Sequence, residues 1–469
     1  MRISVLSLVA TVALVACSDS PVQPTTARAL SATADVAAAA RSRSVVEFNG
    51  AVRKDFAATV AALGGTVDFV ADGAGFAGVS GLTAQAAATL GRSNGIAAVY
   101  DDVVMQLAPP VRSGAISRDV SALSPSNPAA AILFPIQWNM RAINAPGAWA
   151  AGYLGSSNVT AAILDSGIDY DAFDLNGLVD LSRSTSFVPS DDALLNVFFP
   201  ARNKIDDLGG HGTLVATQVS SNGLVFAGVS SRTRLMGVKV LGQSGSGSFG
   251  GILAGVIWAA DHGADVANMS LGATNGLEKA GNGRLLGLIN RVFNYANRAG
   301  MVLVVAAGND ARDLQGNGDV YGAFCESPHV ICVSATGPTS GTPFAGPWGN
   351  VDAPASYSDF GKQDITVSAP GGSEFGYVSA VCAKHLLVVV GQSVVFPCNA
   401  SIQVLGGAGT SASAPHVTGV VAQLIAKYGK GNPSQIKQLL LNGVDDLGAP
   451  GKDAAYGAGR VNLLKALSQ

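Results

Sequence analysis

Short apolar runs alternate with longer, helix-like segments through the second half of the chain, and this alternation limits the folds open to it. The segments Val159–Leu164, Asp265–Leu271 and Met301–Ala306 are mostly apolar, as in strands that are buried on both faces. Helices are predicted over Ser248–His262, Arg284–Arg298, Ser411–Tyr428 and Pro433–Leu441. Strands that alternate with helices predict a mostly parallel α/β sheet covered on both faces, with ligands bound beyond the carboxyl ends of its strands.

A smaller unit is predicted ahead of this domain, over residues 44–107. Its elements are predicted in the order strand, helix, strand, strand, helix, strand, with Thr83 as the cap of the second helix. The predicted bounds are Ser44–Phe48, Asp55–Leu63, Val67–Val70, Gly75–Val79, Thr83–Leu90 and Ile96–Tyr100. This order is typical of small α+β domains of the ferredoxin-like kind.

The chain begins with a segment that is typical of an export signal. Arg2 precedes the mostly apolar run Val5–Ala16, which is too short to span a bilayer. Leu14-Val15-Ala16-Cys17 resembles a bacterial lipobox, in which Cys17 would carry a lipid; cleavage without a lipid is the alternative. The predicted organisation is a signal peptide (1–17), a low-complexity tether (18–43), the α+β unit (44–107), a linker (108–131) and the large α/β domain (132–469). The protein is therefore expected to be exported, and either secreted or lipid-anchored to the cell envelope.

The other four cysteines are expected to form disulfides, because the chain is predicted to be exported. Three pairings are open, and we favour the sequence-local one, Cys325 with Cys332 and Cys382 with Cys398. A zinc site is disfavoured because the spacing lacks close CxxC pairs. With 29 basic and 32 acidic residues and no basic stripe, a nucleic-acid partner is also disfavoured.

Three residues that suit nucleophilic catalysis lie at predicted strand ends or helix starts. Asp165 ends the strand Val159–Leu164, His211 precedes a predicted helical run over Leu214–Val219, and Ser411 begins a long helix. Each also has an ordinary structural role, as a turn former, a loop histidine or a helix cap. Together they supply a nucleophile, a base that activates it and a carboxylate that orients the base.

At these residues the chain resembles the subtilisin-like serine peptidases. DSGI at 165–168, GHGT at 210–213 and GTSASAPHV at 409–417 are similar to the signature blocks of that family, in its order of Asp, His and Ser. Further similar blocks are NMSLG at 268–272, AAGN at 306–309 and APG at 369–371. The likeness covers about Gln137 to Leu464, and residues 44–107 are similar to the family's inhibitor-like propeptide. The resemblance implies a subtilisin-like three-layer α/β fold with a mostly parallel sheet, preceded by a small α+β (ferredoxin-like) propeptide domain.

The resemblance also implies a role for each motif. Asp165, His211 and Ser411 would form the catalytic triad, and the backbone N–H of Ser411 and the side chain of Asn309 would form the oxyanion hole. Substrate would lie along small or apolar residues: Ser270, Leu271, Gly272, Ala306, Ala307, Gly308, Gly245, Ser246 and Gly247. We expect a preference for apolar or large uncharged side chains before the cleaved bond. For Gly245–Gly247 a flexible loop is the alternative.

The resemblance suggests a calcium ligand at one position, and the chain departs from the family's pattern at several others. Asp174 lies where many relatives have a calcium-ligating Asp, but Ser220–Gly228, which would supply other ligands, looks short for the family. Calcium and a set of solvated acids remain alternatives, and no cofactor is required for the chemistry. Leu214 and Thr217 stand where a His and a Gly are common. Residues 176–205 and 373–405 are interpreted as insertions.

The predicted function is that of an exported serine endopeptidase that acts through an acyl-enzyme on Ser411 and is made as a propeptide-inhibited zymogen. Its partners would be protein or peptide substrates and its own propeptide, cleaved between about Leu107 and Ala131, and a monomer is expected. The alternative is a catalytically inactive binding or adhesion protein on the same fold. An esterase of another fold would carry GxSxG, whose second Gly is missing at Gly409–Ser413.

Overall fold

The computed structural model describes residues 43–106, 113–115, 127–272, 277–279, 282–315, 320–321, 323–390, 393–399 and 403–469. The predicted signal peptide, Cys17, the tether up to residue 42 and most of the predicted linker lie outside the described residues. The helices are α1 (Phe56–Ala62), α2 (Ala84–Gly91), α3 (Trp138–Ala142), α4 (Ala145–Ala150), α5 (Pro189–Phe198), α6 (His211–Val219), α7 (Phe249–Asp261), α8 (Gly283–Arg298), α9 (Thr410–Tyr428), α10 (Pro433–Asn442) and α11 (Leu463–Leu467).

The strands fall into one large sheet and several small ones. They are β1 (Arg43–Phe48), β2 (Thr66–Ala71), β3 (Phe76–Ser80), β4 (Ile96–Asp101), β5 (Val104–Gln106), β6 (Ser113–Ala115), β7 (Thr160–Asp165), β8 (Thr185–Ser186), β9 (Arg234–Lys239), β10 (Ser246–Ser248), β11 (Val266–Met269), β12 (Leu277–Glu278), β13 (Val302–Ala306), β14 (Val320–Tyr321), β15 (Val330–Gly337), β16 (Ala353–Pro354), β17 (Val367–Pro370), β18 (Val378–Val381), β19 (Val388–Val390), β20 (Ser393–Val395), β21 (Gln403–Gly407), β22 (Val444–Asp445) and β23 (Arg460–Val461).

The N-terminal unit, residues 43–106, has the predicted β-α-β-β-α-β order. Strands β1 to β4 form an antiparallel sheet in the order β2-β3-β1-β4, and the Thr83 hydroxyl accepts a hydrogen bond from the Ala86 amide at 3.1 Å as the cap of α2. One face of this sheet packs on α1 and α2 through a core that includes Val46, Phe56 and Leu90. The prediction of a small ferredoxin-like unit is confirmed.

The large sheet is mostly parallel and has helices on both faces. Its order is β22-β23-β17-β15-β13-β11-β7-β9-β8, with β16 on β15, and the pairs from β17 to β8 along this path are parallel. Strand β7 shows why the sheet needs helices on both faces, because all six of its residues are buried. Ala162 and Leu164 face the core that holds α7 and α8, whereas Ala161 and Ile163 face the core that holds α6 and α9. The predicted three-layer α/β fold is confirmed.

Four small sheets lie outside these layers in the described residues, and one of them is the antiparallel pair β12–β14. Strand β10 pairs with β5 of the N-terminal unit, β21 lies between β18 and β6, and β19 and β20 form a hairpin. Strand β10 leads into α7 and β21 leads into α9, and these helices lie on opposite faces of the large sheet, so the edges formed by β10 and β21 lie on different sides of it. Within the described residues, none of the helices is both long enough and apolar enough to cross a membrane.

Candidate active site

Asp165 and His211 are joined by hydrogen bonds at the carboxyl edge of the large sheet. The Nδ1 atom of His211 lies 2.7 Å from one oxygen of the Asp165 carboxylate and 2.9 Å from the other, and both side chains are buried. Because Nδ1 donates its proton to the carboxylate, Nε2 is left as the basic nitrogen. Burial lowers the pKa of His211, but the charge and hydrogen bond of Asp165 and the charge of Asp207 outweigh burial and raise it.

Asp207 builds the loop that presents His211, and the sequence analysis missed it. Its carboxylate accepts hydrogen bonds from the Gly209 and Gly210 amides, at 2.9 and 2.8 Å, and from the Thr213 amide at 2.9 Å. These bonds satisfy amides at the start of α6, as a capping residue would. Helix α6 therefore begins at His211, whereas the sequence pattern predicts a start at Leu214. An Asp a few residues before a Gly-Gly-His segment was the available signal.

The packing of α6 on α9 brings Ser411 to the same end of the molecule as His211. A Cβ atom at Gly419 would come within 3.1 Å of the Val219 carbonyl oxygen, so the two helices touch there. Gly419 lies eight residues after Ser411, and Val219 lies eight residues after His211. Since both helices start at the carboxyl edge of the sheet and rise by the same amount per residue, their first turns lie side by side. Among the described residues, the His211 ring is hydrogen-bonded to Asp165 and not to Ser411. A hydrogen bond between the catalytic serine and histidine often tightens only when substrate binds.

The first turn of α9 is held by Ser270 because of a proline. Pro415 has no amide proton, so the carbonyl of Ser411 lacks its usual partner four residues along the helix. The Ser270 hydroxyl donates to that carbonyl at 2.7 Å and accepts from the Asn268 side chain at 2.8 Å. Ser270, which was expected to line the substrate pocket, thus directs its hydroxyl to the helix that carries Ser411.

Asn309 lies beside Ser411 with its amide held in one orientation. Its Oδ1 accepts from the backbone N–H of Thr410 at 2.8 Å, and from the Thr410 hydroxyl at 3.0 Å. The Nδ2 group therefore points the other way. A Cβ atom at Gly409 would lie 3.4 Å from Nδ2 of Asn309 and 3.1 Å from Oγ of Ser411. Both polar groups thus border the same small space, as an oxyanion hole requires.

Gly308 is needed for the chain to reach Asn309. It has a φ angle of +119°, and a Cβ atom there would overlap a carboxylate oxygen of Asp359. The other oxygen of Asp359 accepts the amides of Asp310 and Arg312, each at 2.9 Å. Asp359 therefore fixes the turn on both sides of Asn309.

The residues expected to bind substrate lie on two edges near the site. Leu271 and Ala307 are buried, whereas Gly272, Ala306 and Gly308 are half-buried. The segment Gly245-Ser246-Gly247 is not a free loop: Ser246 and Gly247 pair antiparallel with Gln106 and Met105 of β5. On the opposite side, β21 pairs antiparallel with β6 of the same N-terminal region. The chain's own backbone thus occupies an edge on each side of Ser411.

The two disulfides are those that the sequence analysis favoured, and each lies close to the site. Cys325 and Cys332 are bonded at 1.98 Å, and Cys382 and Cys398 at 2.06 Å. The second pair packs against Leu214 of α6, together with Leu405. This contact explains the departure at Leu214, because an apolar side chain is needed where α6 meets the insertion. The Thr217 hydroxyl donates to the Thr213 carbonyl at 2.8 Å.

Asp174 is not arranged as a metal ligand. One oxygen of its buried carboxylate accepts the amides of Leu224 and Val225, at 3.0 and 2.8 Å, and the other accepts that of Phe226 at 2.9 Å. Burial raises the pKa of Asp174 to about 6, although these amides oppose the shift. The described residues hold no group of three or more His, Cys, Asp or Glu side chains that could bind a metal ion. The carboxylate holds a short loop at the place where calcium was considered, and calcium does not fit it.

Known proteins are similar to the chain over most of this region. The sequence profile of the subtilase family (Peptidase S8) matches residues 156–459. The alkaline elastase YaB of Bacillus sp. (strain YaB) is 30% identical over 329 residues, which are 70% of this chain and 69% of that protein. Fervidolysin of Fervidobacterium pennivorans is 32% identical over 319 residues, 66% of this chain and 41% of that protein.

Solved structures show the same fold. That of the epidermin leader peptide processing serine protease of Staphylococcus aureus superimposes with a TM-score of 0.65 at 23% identity, over 91% of this chain and 97% of that chain. The fervidolysin structure gives a TM-score of 0.65 at 24% identity, over 91% of this chain and 61% of that chain.

Proposed function

The chain belongs to the subtilase family and is a serine peptidase, and on this basis we propose that it is an exported endopeptidase made as a zymogen. The catalytic groups would be Asp165, His211 and Ser411, with Asn309 and the Ser411 amide as the oxyanion hole. Its substrates are proposed to be proteins or peptides.

The pairing of the N-terminal region on both sides of Ser411 supports endopeptidase action. Strand β5 lies on β10, and β6, only seven residues further along, lies on β21. An extended peptide can therefore enter along one edge and leave along the other, gaining main-chain hydrogen bonds on both sides of the cleaved bond. An exopeptidase would need one of these edges to be blocked.

The proposed reaction begins with attack by Ser411. As its Oγ bonds to the substrate carbonyl carbon, its proton moves to Nε2 of His211, and Asp165 stabilises the imidazolium. The carbonyl oxygen becomes an oxyanion, which accepts hydrogen bonds from Nδ2 of Asn309 and the amide of Ser411. The C–N bond then breaks, and the departing amine takes the proton from His211.

Water completes the cycle. His211 removes a proton from water, whose oxygen bonds to the acyl carbon and displaces Oγ of Ser411. Ser411 takes back the proton, the second product leaves as a carboxylic acid, and the enzyme is restored. Neither step consumes an oxidant, a reductant or a metal.

Inhibition by the N-terminal unit is supported by the contacts it makes with the large domain. Asp102 accepts from the Gly250 amide at 2.9 Å, at the start of α7, and Glu47 pairs with Arg291 of α8 at 2.9 Å. Met105 is fully buried in the core that contains Phe249. The unit thus covers the non-primed side of the cleft with its own strand β5.

Processing is proposed to occur between Gln106 and Ser113. Gln106 pairs with Ser246 of β10 and Ser113 with Leu405 of β21, so the two residues lie on the two edges beside Ser411. This narrows the range of about Leu107 to Ala131 that was expected from the sequence. Lipidation at Cys17, export and a monomeric state remain predictions from the sequence and the family.

A fluorophosphonate probe tests the proposed chemistry. We expect covalent labelling of the processed wild-type protein and none of Ser411→Ala. An unlabelled, correctly processed wild type would favour the inactive binding protein instead.

N-terminal sequencing and intact-mass analysis of the same two proteins test the zymogen. We expect a new N-terminus between Leu107 and Ser113 in the wild type and an uncut chain in Ser411→Ala. Equal processing of both would mean that another peptidase cuts the chain. The mass of the unprocessed form would also show whether Cys17 carries a lipid.

A further inference from the structure

We propose that the hairpin β19–β20 binds apolar residues of the substrate that follow the cleaved bond. The inference rests on the proposed endopeptidase function and adds a substrate class to it: proteins with an apolar, extended segment several residues downstream of the cut. The hairpin belongs to the segment interpreted above as an insertion, residues 373–405.

The direction of β6 leads toward this hairpin. Strand β6 runs antiparallel to β21, from Ser113 opposite Leu405 to Ala115 opposite Gln403, so it runs away from Gly407 and Ser411. Strand β18 flanks β21 on its other side, and Cys382 donates its amide to the Gln403 carbonyl at 2.9 Å. The hairpin leaves the sheet at this end. A substrate in the position of β6 would therefore continue toward it.

The hairpin exposes an unusual number of apolar side chains. Val388, Val389, Val390 and Val395 are 37%, 45%, 49% and 37% exposed. The pairing of Val388 with Val395 and of Val390 with Ser393 places three of these valines on one face. Val389 pairs with Val394 on the opposite face. We call Val388, Val390 and Val395 the valine face.

The opposite face is anchored through part of its length, which makes the hairpin a preformed surface, whereas Val389 on that face is 45% exposed. Val394 and Phe396 pack on Leu194 and Leu195 of α5, which belongs to the other insertion. The Cys382–Cys398 disulfide closes the base of the hairpin. Such a rigid surface loses little conformational entropy when a ligand binds.

The hairpin is also tied to the loop that carries His211. Leu387 donates its amide to the Leu208 carbonyl at 2.9 Å, and Nδ1 of His385 lies 2.7 Å from the carboxylate of buried Asp206. The hairpin is therefore fixed relative to the catalytic groups, although it touches none of the reacting atoms. We expect its contribution to appear in KM and not in kcat.

The chemistry of the valine face fits an apolar partner. The sequence from His385 to Leu405 contains no Asp, Glu, Lys or Arg, so the hairpin itself presents no acidic or basic side chain to a ligand. Adjacent exposed valines on a strand pair bind other apolar side chains by removing both from water.

Three internally quenched peptides test the proposal. They share the residues before the cleaved bond and the two residues that it joins. One continues with Val and Leu for six residues, one with Ser and Gly, and one ends two residues after the cut. We expect the wild type to cleave the apolar peptide with about 10-fold higher kcat/KM than the Ser/Gly peptide, mainly through a lower KM. The short peptide reports the catalytic site alone.

The triple variant Val388→Ser/Val390→Ser/Val395→Ser should lose this preference, so that the two long peptides are cleaved within about 2-fold of each other. It should cleave the short peptide as well as the wild type does, which also shows that it is folded. Val389→Ser is the matched control, with a similarly exposed valine on the other face of the same hairpin, and it should keep the preference.

Two outcomes would overturn the proposal: no downstream preference in the wild type, or a preference that survives in the triple variant. An equal loss in Val389→Ser would also count against it, since it would indicate a general effect on the hairpin. If the wild type cleaves none of the three peptides, including the short one, the proposed peptidase function itself fails.

Discussion

At the scale of single residues, the side chain of Thr410 orients the side-chain amide of Asn309. The Thr410 hydroxyl accepts from the Gly308 amide at 3.1 Å and donates to Oδ1 of Asn309 at 3.0 Å, so it fixes both the turn and the amide. Loss of an oxyanion donor itself lowers kcat on the order of 100- to 1,000-fold, a range known from subtilisin. A residue that only orients the donor should have a smaller effect.

We therefore expect Thr410→Val to lower kcat about 10-fold, with little change in KM, because the oxyanion that Asn309 stabilises forms only after the substrate has bound. Steady-state kinetics on a peptide substrate measures this. Gln423→Met is the control, since Gln423 lies on the same helix and its buried side-chain amide donates to the Val229 carbonyl at 2.8 Å, outside the contacts that hold Asn309 and Ser411. A similar loss of kcat in the control would mean that α9 is generally disturbed.

The raised pKa of His211 determines how activity depends on pH. The reaction needs the neutral imidazole, and the group is protonated below its pKa, which lies above the ordinary value of 6.5. We expect kcat/KM to fall as the pH drops through a pKa above 6.5. Asp207→Asn removes one of the charges that raise this pKa, so its acid limb should move to lower pH. An acid limb below pH 6 in the wild type would contradict the assignment.

At the scale of elements, the loop Leu224–Phe226 depends on one carboxylate. Asp174→Asn leaves the Phe226 amide without an acceptor, because the new NH₂ group cannot accept its proton. We expect the free energy of unfolding to fall by about 1–3 kcal/mol in urea denaturation at neutral pH. Calcium and EDTA should change the unfolding midpoints of the two proteins equally. A calcium effect that is lost in Asp174→Asn would show that this residue does bind the ion.

At the scale of the whole molecule, Asp102 makes the contact between the two units depend on pH. Burial raises the pKa of Asp102 to about 6 from 3.8, although the Gly250 amide and the Ser248 side chain oppose the shift. A group whose pKa is higher in the complex takes up a proton on association. The contact is therefore strongest below about pH 4 and weakens as the pH rises through 6, by up to about 100-fold in the dissociation constant.

We expect the cleaved N-terminal unit to stay bound to the processed protein, on which this pH dependence can be measured. Size-exclusion chromatography should recover more of the unit with the enzyme at pH 5 than at pH 8, and Asp102→Asn should remove that difference. Asp101→Asn is the control, because Asp101 is exposed. Tighter association at pH 8 in the wild type would contradict the direction of the shift.

Patterns within short segments were enough to predict most of the architecture. The buried run at 159–164 became β7 within one residue, Thr83 caps α2, and the order of elements in the N-terminal unit was correct, because each depends on local periodicity and capping. The family motifs also indicate Asp165 and His211, whose side chains lie 2.7 Å apart in the structure.

Only the tertiary structure showed how distant segments complete the site. Ser270 supports the carbonyl of Ser411 across 141 positions, Asp174 satisfies three amides of a remote loop, and β5 and β6 lie on opposite edges of the cleft. No local pattern encodes such contacts, because they arise where strand ends and helix starts meet in space. The sequence by itself determined which residues could perform the chemistry, and the fold decided which neighbours orient them and what lies in the cleft.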